Sequence, residues 1–286
     1  MSVAIHSGED ALFDEVSSLL SIRCSKGQPI WLFAYASLIW KPDIDYETHS
    51  VAALGGYRRR LWQACPIHRG NEKDMGRVAT LVKATPSLRF AAAAQQHDAR
   101  DAPSTIALGA SALELWIRGV GAAGDDARSV DAAANEIEDE AEGDESDEEG
   151  DASAEWPVVH GSAYRLPDDS AIRTSMLKRL CLRERAGYKP VLVRVALADR
   201  SSVDSLTFMA PRNSDLFRRE SNNEVARVVM RAAGASGPNI EYLACLIAAM
   251  RKRGVYDIHL ESVYEALDVD KQDAVKQFLF STGSVQ

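Results

Sequence analysis

Three short stretches carry side chains that can do chemistry. In LCLRERAGYKP (180–190), Glu184 follows the apolar positions Leu177, Leu180 and Cys181 at helical spacing, so a helix here turns its carboxylate toward the core side. Partial burial raises a carboxylate's pKa and makes it a usable base near neutrality. The competing reading is a plain ion pair with Arg183 or Arg185. In WLFAYASLIW (31–40), an apolar run breaks at Tyr35-Ala36-Ser37 and resumes at Leu38. Small residues after a strand let the backbone turn and present successive N–H groups, a concavity that suits carboxylates or phosphates; an ordinary strand end is the alternative. In GGYRRRLWQACPIHRG (55–70), strand alternation sets Arg59 on the face opposite Arg58 and Arg60, so at least one of the three turns inward or toward a cleft.

Other chemistries lack support. The six histidines form no i, i+4 pair and have no Cys or carboxylate at ligand spacing, so no metal site is expected. A G-x-S-x-G elbow is absent. The four cysteines (Cys24, Cys65, Cys181, Cys245) lie far apart and make no C-x-x-C pair, which suits free thiols in a reducing compartment, by default the cytosol. No apolar run approaches the ~18 residues of a bilayer span, and the first fifteen residues carry four acids and no basic region of a secretory leader.

Charge is unevenly placed. The net charge is −9, but residues 125–155 hold fifteen Asp or Glu and one Arg, a local −14, which leaves +5 for the rest. Such a mildly basic remainder suits a small anionic ligand and is too weak for nucleic acid. From about 86 to 155 the chain is rich in Ala, Gly, Asp and Glu, and like charges this dense with so little apolar surface predict a disordered insertion. Within it, 110–118 is the one stretch with the makings of a short helix or strand. The insertion is either a tolerated surface excursion or bait for a basic protein partner.

The elements that must position these residues follow from periodicity. A helix is expected over 8–22, strands over 30–35, 57–64, 76–84 and 158–166, and a helix over 167–184 with acidic residues in its first turn. Strands at 190–198 and 204–210 follow, then helices near 221–233, 238–253 (with Pro238 in its first turn) and 257–267. Strands and helices alternate without a βαβ repeat, which predicts an α+β fold with a mixed or barrel-like sheet. Residues 1–270 are read as one domain interrupted by the insertion, and 271–286 as a C-terminal tail.

Taken in series, FAYASLIWKP, GGYRRRLWQACPIHRG, GRVATL, HGSAYRLP, LCLRERAGY, APRN and SGPNIEYL resemble the ChaC-like, glutathione-specific γ-glutamylcyclotransferases in order and spacing. The resemblance covers about 30–83 and 158–265. It implies a small β-barrel with flanking helices, glutathione as substrate, 5-oxoproline and cysteinylglycine as products, and no metal or cofactor. It matches Tyr35, Ala36, Ser37 and Leu38 to the family's Tyr-Gly-Ser-Leu loop, which would hold the substrate's α-carboxylate. It matches Glu184, with Gly187 and Tyr188, to the catalytic Arg-Glu-x-x-Gly-Tyr segment. An inward arginine from 58–60 (Arg59 among them), or Arg69 or Arg77, would take the glycine carboxylate, and the sequence does not choose among them.

Departures from the family pattern are specific. The loop glycine is Ala36, harmless at negative φ and strained at positive φ. The Asn-Pro-x-Tyr-Leu-Gly segment reads NSDLFRRES, with Leu216 at the tyrosine's place and Phe217 beside it. These changes keep two other readings open beside glutathione cleavage: a cyclotransferase for other γ-glutamyl compounds, and a non-catalytic binding or regulatory homologue.

Overall fold

The computed structural model describes residues 7–84 and 157–282. The expectations of disorder over 86–155 and of an element at 110–118 fall outside the described residues.

The N-terminal helix α1 (Ser7–Ser25) buries Leu12, Val16 and Leu20, the i, i+4, i+8 row of its apolar face, each contributing about 1.5–3 kcal/mol on burial. Strands β1 (Trp31–Ala34), β2 (Thr48–Gly55), β3 (Tyr57–Cys65) and β4 (Gly76–Lys83) precede the undescribed segment. After it come β5 (Val158–Arg165), α2 (Ser170–Glu184), β6 (Lys189–Leu197) and β7 (Ser202–Met209). The chain then runs through α3 (Asn222–Arg231), the two-residue strands β8 (Ala233–Gly234) and β9 (Gly237–Pro238), α4 (Asn239–Arg251), α5 (Ile258–Glu265) and α6 (Val269–Ser281).

Five strands close a barrel in the order β1-β5-β2-β6-β7. Its seams are antiparallel except the closing one, where Trp31 and Leu32 of β1 lie parallel to Ser205 and Leu206 of β7. Closure leaves no free edge in this sheet. Strands from both sides of the acidic segment interleave in it, as a mixed barrel within an α+β fold requires. A separate antiparallel pair, β3 and β4, carries a register shift between Arg60 and Gln63. That bulge frees the Leu61 N–H, which donates to Nε2 of His259 on α5 at 2.9 Å; burial lowers the His259 pKa and keeps the ring a neutral acceptor.

Several expectations need correction. Strand β2 went unread because HSVAALGG is built of small residues with no branched or aromatic alternation. The acids expected inside the first turn of α2 stand before it: Asp169 is the N-cap and accepts from the N–H groups of Ala171 and Ile172. Pro238 is likewise the N-cap of α4 rather than a first-turn residue. Residues 271–281, expected in a tail, belong to α6, whose Val275 and Leu279 are buried.

Candidate active site

A cavity of about 460 Å³ lies where the end of β1, the C-terminal end of α2, β3, β4 and the first turn of α4 converge. Tyr35, Ala36, Ser37, Leu38, Glu184 and Tyr188 all line it.

Glu184 reaches the cavity through the periodicity of α2. Met176, Leu177, Leu180 and Cys181 form the buried stripe, and the last helical residue falls on the same face. Its side chain is 17% exposed. Burial raises its pKa to about 7, against the opposing pull of Arg183. Beyond the helix, Gly187 adopts φ +83, a left-handed conformation that turns the chain back toward Tyr188 and β6. The neighbouring Cys181 thiol is pushed up to about 11 by burial and by Glu184, so it stays protonated.

The loop opposite is a 3-10 turn, Ser37–Ile39, following Ala36 at φ −133 and ψ −138. The φ is negative, so the Ala36 Cβ stays clear of the left-handed region that favours glycine. As the first residues of a helical turn, Ser37 and Leu38 have N–H groups that find no acceptor among the described residues. The Arg183 guanidinium fixes the turn to α2. It donates to Ser37 Oγ at 2.7 Å and to the Lys41 carbonyl at 3.0 Å, while its Nε stands 3.8 Å from Glu184 Oε1. One guanidinium thus separates the turn from the carboxylate.

Three phenols complete the wall, Tyr35 and Tyr242 buried and Tyr188 partly so. Tyr35 donates to the Phe208 carbonyl at 2.6 Å and Tyr188 to the Ala79 carbonyl at 2.6 Å. Tyr242, on α4, instead accepts from the Ala79 N–H at 3.0 Å, and its own hydrogen has no acceptor among the described residues. Burial raises the pKa of all three, with Glu184 adding to each, so they remain O–H donors.

The arginines divide differently from expectation. Arg59 is inward, but its guanidinium donates to the carbonyls of Tyr35 (2.9 Å) and His160 (2.5 Å) and pairs with Asp257. Arg77 forks onto both carboxylate oxygens of Glu220 at 2.6 Å and donates to the carbonyls of Met75 and Gly76. Neither lines the cavity. Arg69 and Arg183 do. Of the Arg69 guanidinium, only Nη1 is hydrogen-bonded among the described residues, to the Pro238 carbonyl and to Glu241, both at 3.0 Å. Leu216 does not line the cavity; it lies beside Gly187, where a Cβ would meet its Cδ1 at 3.1 Å. Among the described residues no three His, Cys, Asp or Glu side chains gather as metal ligands.

The family model for ChaC-like proteins matches residues 30–270. This chain belongs to the ChaC-like family. Among curated proteins, the glutathione-specific γ-glutamylcyclotransferase of Saccharomyces cerevisiae is 26% identical over 253 residues, 84% of this chain and 96% of that one. Glutathione-specific γ-glutamylcyclotransferase 1 of Rattus norvegicus is 48% identical over 56 residues, 20% of this chain. That local match spans about a quarter of the rat protein's length. A crystal structure of a yeast γ-glutamylcyclotransferase specific to glutathione superposes with a TM-score of 0.54 at 22% identity, covering 84% of this chain and 97% of that one, a likeness of fold.

Within the ChaC-like fold the sequence reading overlooked Gln63 and Tyr242, both in the cavity wall. Each lies inside a stretch singled out for other reasons, RRRLWQ and SGPNIEYL. Spacing alone does not mark either as polar lining of a site, because a buried Gln and a buried Tyr are ordinary core features.

Proposed function

We propose that this protein is a γ-glutamylcyclotransferase that cleaves glutathione to 5-oxoproline and cysteinylglycine. One observation carries the reading: a carboxylic acid with a pKa of about 7, Glu184, shares a cavity with the N–H groups of Ser37 and Leu38, which have no acceptor among the described residues. The names of the yeast and rat relatives point the same way.

In this reading the amides of Ser37 and Leu38 receive the α-carboxylate of the γ-glutamyl group. With that end held, the α-amine lies within reach of the γ-carbonyl of the same molecule, and closing a five-membered ring is intramolecular. Glu184 takes a proton from the α-ammonium. The freed nitrogen attacks the γ-carbon, and the bond to the cysteine nitrogen breaks. Glu184 then gives its proton to that departing nitrogen and takes the extra proton of the ring nitrogen as the lactam forms; that second proton passes to the released amine, so no water is consumed and the carboxylate is restored. The Tyr242 hydroxyl, whose hydrogen has no acceptor among the described residues, suits the oxyanion that forms on the γ-carbonyl. Arg69, with donors to spare, is the arginine suited to the glycine carboxylate. The free thiols Cys24, Cys65, Cys181 and Cys245 fit a reducing compartment, and no described helix is long and apolar enough to cross a membrane; we assign the protein to the cytosol.

A second reading, in which other γ-glutamyl amines or dipeptides are preferred, is favoured by Leu216 at the place of the family tyrosine. The test is a substrate panel on purified protein, with 5-oxoproline and cysteinylglycine measured together. Glutathione should be the best substrate, and Glu184→Gln should lower its turnover by orders of magnitude while leaving the fold intact. Unchanged turnover by Glu184→Gln would defeat the mechanism, and preference for a dipeptide or amine would transfer the assignment to the second reading.

A further inference from the structure

Gln63 sits in the cavity wall with no solvent exposure. Its amide orientation is fixed by chemistry, since the group facing the Ala186 carbonyl at 2.6 Å must be the Nε2 donor. Oε1 therefore points elsewhere, and it is buried with no hydrogen-bond partner among the described residues. The residue has little freedom to turn away. Its backbone forms a bridge with Phe217, the next residue's N–H donates to the Leu216 carbonyl at 2.7 Å, and Gly187 closes over its amide. A buried acceptor without a donor is destabilising, by about 1–3 kcal/mol. One held rigidly in the wall of a cavity calls for a donor on the ligand.

The structure assigns Gln63 Oε1 as the acceptor that holds the α-amine of the γ-glutamyl substrate beside Glu184, an inference that rests on the cyclotransferase reading. Gln63 is anchored on the turn that directly follows Glu184, so the two acceptors address neighbouring space. A substrate ammonium carries three hydrogens. Glu184 removes one, and the lone pair exposed must face the γ-carbon, so the remaining hydrogens need an acceptor inside the cavity. A neutral amide oxygen suits that place. A second carboxylate would favour the charged ammonium and withhold the lone pair. Gln63 is thus a positioning and specificity residue: it selects γ-glutamyl compounds over acyl groups of equal length that lack the amine.

The inference predicts a coupling between Gln63 and the amine. Glu184→Gln protein, whose turnover should be lower by orders of magnitude, would be titrated calorimetrically with glutathione and with its des-amino analogue, glutaryl-cysteinylglycine. The same pair would be titrated into Glu184→Gln/Gln63→Met protein. With Gln63 present, the ratio of the two affinities should exceed that of the double variant by about tenfold or more, the scale of one hydrogen bond to a charged group. An equal ratio in both proteins overturns the assignment. Gln63→Leu, of similar volume, replaces Gln63→Met if the latter does not fold, and is read in the same way. Wild-type protein that releases no 5-oxoproline and binds neither ligand sinks the cyclotransferase reading itself; turnover together with an unchanged ratio sinks only the role of Gln63.

Discussion

Tyr188 and Tyr242 grip the two backbone polar groups of one residue, Ala79, in opposite senses. Tyr188 gives its hydrogen to the Ala79 carbonyl, whereas Tyr242 receives the Ala79 N–H and keeps its own hydrogen for the cavity. Two phenols of the same chemistry are therefore unequal as donors to a ligand. Tyr242→Phe should lower kcat by about 10²-fold, the scale of losing one oxyanion donor, with KM little changed. Tyr188→Phe should lower it far less, because the hydrogen removed was already engaged by the backbone. Steady-state kinetics of the two variants compare them directly, and equal losses would contradict the distinction.

The raised pKa of Glu184 predicts two pH dependences of opposite sense. As a base, Glu184 must be ionised, so kcat/KM should rise with pH through about 7. Stability runs the other way. Because the folded pKa lies above the ordinary 4.5, the native chain holds more protons than the unfolded one between about pH 4.5 and 7, and the Glu184 contribution to stability falls as pH rises across that window. Glu184→Gln should therefore equal wild type in stability below pH 4.5 and exceed it above pH 7, by up to about 3 kcal/mol. Urea denaturation of both proteins at pH 4 and pH 8 measures the difference. A variant less stable than wild type at pH 8 would show that the carboxylate is not held against its own charge.

The resemblance sets Ala36 at a glycine position of the family, and the residue lies at negative φ, outside the left-handed region that favours glycine. Ala36→Gly should lower stability by about 0.5–1 kcal/mol through added freedom in the unfolded chain, and leave kcat/KM unchanged. A gain in activity on reverting to glycine would mean that the loop adopts positive φ when substrate binds.

What was legible in the sequence was local. Helical spacing placed Glu184 with Leu180 and Cys181, and the break at Tyr35-Ala36-Ser37 marked the turn, because both signals lie within a few residues. Alternation along β3 set Arg59 on the face opposite Arg58 and Arg60 and left open which of them turns inward. It did not show what Arg59 meets, since Asp257 lies 198 residues further on. The link from Arg183 to Ser37 spans 146 residues, so an arginine that reads as a partner for Glu184 turns out also to fasten the loop. Strand β2 and helix α6 escaped for a different reason: their apolar residues are small or sparse, and packing against the rest of the fold defines them.

Arg59 and Arg69 provide the sharpest contrast, because sequence alone gave both a claim on the glycine carboxylate. Arg59, with a side chain 1% exposed and three acceptors bound, braces the barrel against α5 and the Tyr35 backbone. Removing it strands Asp257 and two carbonyls. Arg59→Met should thus cost about 3–5 kcal/mol of stability and lower the midpoint of thermal unfolding sharply. Arg69 borders the cavity, and the only ion pair it makes among the described residues is with Glu241, whose side chain is half exposed; such a pair adds little. Arg69→Met should leave the unfolding midpoint nearly unchanged while raising KM for glutathione about tenfold or more, as expected for a lost charge-assisted bond. With γ-glutamylcysteine, which lacks the glycine, Arg69→Met and wild type should have the same KM. A KM increase of equal size for both substrates would mean that Arg69 shapes the cavity rather than holding the far carboxylate.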